Sequence, residues 1–137
     1  MVSPPDFGEP RLTTGYELCV FDDATSATPG VVASATIPAG TVCGSYLCWD
    51  MNGHGFRYRD RSRLHDGVET LTLRGGSPGK GKIALRSEGA GVGVSSPLAA
   101  TAPVRVQLRR TDADICWEAT YSSPVRSGTA GFKARSD

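Results

Sequence analysis

The segment Val104–Leu108 (VRVQL) and the segment Ile115–Tyr121 (ICWEATY) decide how this sequence is read. Side chains alternate across a β-strand, so residues two apart share a face. In the first, Val104, Val106 and Leu108 share one face, and Arg105 and Gln107 share the other. In the second, Ile115, Trp117, Ala119 and Tyr121 lie opposite Cys116, Glu118 and Thr120. Each is a strand with one buried face. Outward from them the same period recurs in Tyr16–Phe21, Val31–Ile37, Tyr46–Asp50, Phe56–Arg59, Val68–Leu73 and Lys82–Arg86, with Ala130–Ala134 closing the chain. Turn chemistry separates these runs at Asp22–Gly30, Pro38–Gly40, Asn52–Gly55, Asp66–Gly67 and Gly75–Gly79. Glu88–Pro103 reads as loop. No window sustains the 3.6-residue apolar period of a helix. The pattern predicts an all-β chain, a two-sheet antiparallel β-sandwich of about eight strands with Greek-key, immunoglobulin-like character.

Composition agrees. The chain has 137 residues, about one domain's worth. It carries 17 glycines and 9 prolines, roughly a fifth of the residues against an average near 12%. That punctuation suits short strands and turns. Residues 1–14 are polar and rich in proline and glycine, and read as a flexible tail before a single domain at 15–137. With 15 Lys+Arg against 14 Asp+Glu the net charge is +1, which speaks against a nucleic-acid partner. No apolar run approaches the ~18 residues a membrane helix needs, so no membrane insertion is expected. No secretory leader is visible at Met1–Pro10.

Four cysteines in a short Gly/Pro-rich chain point to disulfides and an oxidising compartment. Three pairings are possible. Facing favours Cys19 with Cys116, both on outer faces, and Cys43 with Cys48 locally. The long bond would close nearly a hundred residues, worth about 4–5 kcal/mol in the chain-entropy model. A zinc site is less well supported, because only Cys43 and Cys48 resemble a ligand pair and His54 and His65 complete no spacing. Calcium has oxygen donors at Asp60, Asp66, Glu69, Asp112 and Asp114 but no recognised loop. No metal and no cofactor are expected.

Two constellations suggest binding. Arg57, Arg59, Arg61 and Arg63 recur at every second residue, and an extended chain would line them up about 6.6–7 Å apart. Such a stripe fits the sulfate, phosphate or carboxylate groups of an anionic polymer; Arg105 and Arg109 would extend it. The competing reading is a charged strand that blocks aggregation. Trp49 and Trp117 face inward by alternation and read as core, whereas Tyr46 faces outward near a turn and is the aromatic available to a ligand. Catalysis has little support. Gly75–Gly79 fits Gly-x-Ser-x-Gly, but Pro78 has no N–H for an oxyanion hole and a strand follows instead of a helix. Gly76–Lys82 has phosphate-loop spacing, but Ile83 stands where Ser or Thr should hold magnesium.

In order, ELCVFD (Glu17–Asp22), SATIPAGTVCG (Ser34–Gly44), CW (Cys48–Trp49), GFRYRD (Gly55–Asp60), DGVETLTL (Asp66–Leu73), GKIAL (Gly81–Leu85), VRVQL and ICWEA (Ile115–Ala119) run through the chain. Together they resemble an uncharacterised module at the C-terminal end of predicted secreted bacterial proteins. Tyr46-Leu47 departs from the small or proline residues more familiar there, and arginine replaces lysine on the basic face. The resemblance implies secretion and a β fold, and supplies no activity. The expectation is a non-catalytic extracellular binding or attachment module of a bacterial protein. Its partner would be a polysaccharide or another surface protein. The alternative is a fibre subunit that self-assembles by strand contacts.

Overall fold

The computed structural model describes residues 2–21, 30–78, 80–87, 104–121 and 132–135. The expected turn at Asp22–Gly30 and loop at Glu88–Pro103 lie almost wholly outside the described residues, as do the side chains of Tyr121 and of 132–135. Eleven strands are described: β1 (Tyr16–Phe21), β2 (Val31–Ile37), β3 (Val42–Cys43), β4 (Tyr46–Leu47), β5 (Trp49–Asn52), β6 (Gly55–Arg59), β7 (Val68–Arg74), β8 (Lys82–Ser87), β9 (Val104–Arg110), β10 (Cys116–Tyr121) and β11 (Phe132–Arg135). They exceed the nine runs read from the sequence because the run Tyr46–Asp50 is split at Cys48 between two sheets and because Val42–Cys43 adds a short strand.

All pairings are antiparallel. One sheet has the order β10-β9-β1-β2, the second β11-β8-β7-β6-β5, and β3-β4 is a separate two-stranded hairpin. In the first sheet Leu18, Leu108 and Trp117 form one cross-strand row, and Val20, Val106 and Ala119 the next. In the second, Tyr58, Leu71 and Leu85 form a row beside Phe56, Leu73 and Ile83. One hydrophobic cluster takes in residues from both sheets. Trp49 joins them: its ring centroid lies 5.5 Å from that of Tyr16 and 5.2 Å from that of Tyr58, and its indole N–H donates to the Pro38 carbonyl at 3.1 Å. The indole is thus buried without an orphaned donor. Leu47, expected inside with Trp49, is exposed instead. The chain turns between β4 and β5, so alternation does not carry across Cys48, and Cys48 and Trp49 are both buried.

Residues 2–14 are no loose tail. Pro4–Phe7 form a 3-10 turn capped by Ser3, whose N–H and hydroxyl both bond Asp6. Phe7 is fully buried, packs its ring 5.3 Å from that of Trp117, and offers its carbonyl to the Tyr16 hydroxyl. Val2 forms a β-bridge with Gly76. Arg110 donates to the Asp6 carbonyl at 3.0 Å, and Thr14 to Asp112 at 2.6 Å. Gly8 has φ 73°, and a Cβ there would meet Arg110 Nη2 at 2.7 Å, so glycine alone fits under that clamp. The Pro/Gly composition that suggests disorder serves here to wrap a strap across the core.

Candidate functional site

The expected arginine stripe is two residues long on its strand. Arg57 and Arg59 point outward from β6, opposite the buried Phe56 and Tyr58. At Asp60 the strand ends. Asp60 is 2% exposed and its carboxylate accepts N–H bonds from Ser62 (3.0 Å), Arg63 (3.1 Å) and Leu64 (2.9 Å). Tyr58 Oη and His65 Nδ1 also lie within 3.4 Å of it. Burial pushes the Asp60 carboxyl up, but the bonds from His65 and from the Leu64 and Ser62 amides outweigh it and the net shift is downward. Gathering three successive amides turns the chain, and Arg63 sits at φ 53°. Arg61 and Arg63 therefore leave the stripe for the turn, where Arg63 Nη2 comes 3.3 Å from Glu69.

The sheet supplies other cations in their place. On β7 the outward positions are Thr70, Thr72 and Arg74, and on β8 they are Lys82, Ala84 and Arg86. Register aligns Arg59, Thr70 and Arg86 in one cross-strand row, and Arg57, Thr72 and Ala84 in the next. Arg74 stands directly opposite Lys82. Register also sets Lys133 beside Arg86. Neighbouring strands lie about 4.8 Å apart and alternate residues about 6.8 Å, so Arg57, Arg59, Arg74, Lys82 and Arg86 share one broad face. Asp50, opposite Arg57, and Glu69, 3.9 Å from Arg86, are the acids near it. Among the described residues the side-chain cations of Arg57, Arg59, Arg74 and Lys82 make no ion pair. The sequence hides this grouping, because its members come from three successive strands whose register, including the bulge between Val68 and Thr70, sets which of them stand side by side.

Arg105 and Arg109 do not extend the stripe. They project from β9 on the other sheet, where Arg109 pairs with Glu17 and Arg105 lies 3.9 Å from Glu118 and 4.9 Å from the Phe21 ring centroid. The outward arginines of this sheet have acidic partners, whereas Arg57, Arg59, Arg74 and Lys82 have none among the described residues. Tyr46 is exposed as expected, but it stands on the β3–β4 hairpin opposite Cys43 rather than among the arginines.

The hairpin carries the disulfide Cys43–Cys48, as expected, with Cα atoms 5.1 Å apart. The second expected bond is absent: Cys19 and Cys116 are free thiols. Both are on the outer face of their sheet, but β9 runs between β1 and β10. Cys19 aligns with Gln107 and Glu118, whereas Cys116 aligns with Arg109. Two strand spacings make about 9.6 Å before the offset along the strand, beyond the ~7 Å that a disulfide spans. Burial, then the Glu118 charge, raises the Cys116 thiol pKa.

The acidic residues considered for calcium hold the fold together. Asp66 accepts the Thr36 N–H at 2.7 Å on β2, and Asp112 accepts two bonds from Arg110. Bonds from Arg110 and then Thr14 hold the Asp112 carboxyl down at about 2. No group of three or more possible metal ligands occurs among the described residues. Ser77 lies in the turn between β7 and β8, where its carbonyl accepts the Lys80 N–H at 2.8 Å. No helix among the described residues is long and apolar enough to cross a membrane. No family model, no curated protein and no solved structure matches the chain.

Proposed function

We infer that this is a non-catalytic binding module that attaches to an anionic polymer, a charged surface polysaccharide, through the outer face of β6, β7 and β8. The single observation behind this reading is the direct opposition of Arg74 and Lys82 beside Arg57 and Arg59, which make no ion pair among the described residues. Like charges directly opposed across a strand pair destabilise it. An anion laid over the face relieves that repulsion, and threonine hydroxyls at Thr70 and Thr72 add neutral donors between the cations. Tyr46 belongs to a separate surface. The two sheets close into a Greek-key sandwich over their common core, exported from a bacterial cell; the Cys43–Cys48 bond is compatible with an oxidising compartment.

Retention on heparin or another sulfated resin tests this reading. The wild-type chain binds and elutes with salt, and an Arg57→Ala/Arg59→Ala/Arg74→Ala variant elutes much earlier. The Arg105→Ala/Arg109→Ala variant serves as control and elutes with the wild type. Equal elution of all three proteins overturns the reading.

A second reading, a fibre subunit growing by strand addition, draws on the position of β10 at the edge of its described sheet. The opposite edge, β2, is partly blocked because Asp66 occupies the Thr36 N–H. Concentration-dependent assembly followed by light scattering separates the two.

A further inference from the structure

The described residues include seven exposed large apolar side chains; three of them, Val42, Tyr46 and Leu47, stand at the β3–β4 hairpin end, and a fourth, Leu12, lies in a turn bonded to it. Val42 and Leu47 are direct partners across β3–β4 and share a face, and Tyr46 stands opposite Cys43 on the other. Leu12 belongs to the neighbouring turn, which is tied to the hairpin's entry by the Gly40 N–H bond to the Pro10 carbonyl at 2.9 Å. The twelve residues Pro38–Trp49 carry no charge. The Cys43–Cys48 bond closes the hairpin covalently, so its shape does not depend on burying these side chains. At its base the Arg59 N–H bonds the Cys48 carbonyl at 2.8 Å and Cys43 Sγ lies 3.4 Å from the Arg59 carbonyl. Arg59, a cation without an acidic partner among the described residues, therefore adjoins an uncharged, apolar tip.

We propose that this end docks at the headgroup level of an anionic lipid surface, with Val42, Tyr46, Leu47 and Leu12 dipping below the headgroups and Arg59 pairing with lipid phosphate. Two features favour a bilayer over a protein. The four side chains expose on the order of 400 Å², about half of the ~800 Å² per partner that a stable protein interface buries. They are also spread over both faces of a two-stranded hairpin and a separate turn, which a fluid interface accommodates without a complementary cavity. Tyrosine is enriched at that depth, where its ring is apolar and its hydroxyl wet. Shallow apolar contact combined with a nearby cation gives reversible, anion-dependent binding. The site shares Arg59 with the sheet face assigned to polyanions, and its apolar side chains lie outside that face.

Co-flotation of the intact, oxidised chain with phosphatidylcholine vesicles, with and without phosphatidylglycerol, tests the proposal. The wild-type chain floats with the phosphatidylglycerol vesicles, and Val42→Asp and Leu47→Asp each weaken this by roughly tenfold or more, while retention on heparin resin is unchanged. Both positions are exposed, so the variants keep the wild-type unfolding midpoint. Failure of the wild type to float, or flotation of Leu47→Asp equal to wild type, overturns the proposal. So does a vesicle-free dimer in sedimentation equilibrium that Leu47→Asp dissociates, which assigns the tip to a second copy of the chain. Loss of heparin retention with flotation intact would instead count against the polyanion site.

Discussion

Arg74 and Lys82 face each other directly across the β7–β8 pair, on the solvent side of the five-stranded sheet. Neither makes an ion pair among the described residues, although the other sheet neutralises its own outward arginines with Glu17 and Glu118. Replacing Lys82 with threonine removes the opposition and keeps a strand-forming residue. Lys82→Thr is expected to raise stability by about 0.2–1 kcal/mol in urea unfolding and to lower the salt needed for elution from heparin. A variant that loses stability and keeps its elution position contradicts the proposed role of this face.

The N-terminal strap is part of the core. Phe7→Ala removes a fully buried ring that contacts Trp117, and should cost about 3–5 kcal/mol of unfolding free energy. Deleting residues 1–8 should do at least as much damage, because it also frees the Tyr16 hydroxyl and Arg110 from their carbonyl partners. If residues 1–14 behaved as a loose tail, both changes would leave the denaturation midpoint where it is.

Thiol chemistry distinguishes the two cysteine pairs. Native protein titrated with a thiol reagent should yield two equivalents, from Cys19 and Cys116. Reduction should add two more and lower stability by about 2 kcal/mol, the chain-entropy value for so short a loop. Zero equivalents in the native state would restore the Cys19–Cys116 bond and contradict the placement of β9 between them.

Asp60 is the anchor of its turn. Asp60→Ala orphans the Ser62, Arg63 and Leu64 amides together and leaves His65 without its carboxylate. Charge-assisted hydrogen bonds of this kind are the stronger ones, and a loss of about 2–4 kcal/mol is expected. Thermal melts of Asp60→Ala and Asp60→Asn measure it, the amide losing less because its oxygen still accepts.

Acid should unfold the protein through its carboxylates. Asp112 has a folded pKa near 2 against an ordinary 3.8. The folded state therefore binds this proton less readily than the unfolded chain. The resulting stability is fully present above pH 3.8 and is lost as pH falls through the folded value. Asp60, Asp6 and Glu9 are shifted the same way. Stability measured from pH 5 to pH 2 should decline, and Asp112→Asn should flatten the curve. At the other extreme, burial raises the Tyr16 and Tyr58 hydroxyls above their ordinary 10.0. Their contribution is complete below pH 10 and fades above it, so Tyr16→Phe should lessen alkaline unfolding.

Period-two alternation marked β1, β2, β9 and β10 to within a residue or two at their ends, and it placed Leu18, Val20, Val106 and Leu108 inside. It failed at Cys48, where a turn between two sheets breaks the count, and at Phe7, whose proline-rich setting has no strand period to betray a buried ring. The arginine stripe was half legible. Arg57 and Arg59 obey the alternation, but the amide-gathering carboxylate of Asp60 ends the extended run before Arg61 and Arg63. The local disulfide was expected as the pair remaining beside Cys19 with Cys116, and it forms although that second bond does not.

By itself the sequence determined which side of each strand is wet, because that side follows from backbone geometry one residue at a time. Only the tertiary structure decided who stands beside whom: β9 between Cys19 and Cys116, and Arg59 in a row with Arg86. Strand order is set by contacts between residues far apart in the chain, and no short window of sequence contains them.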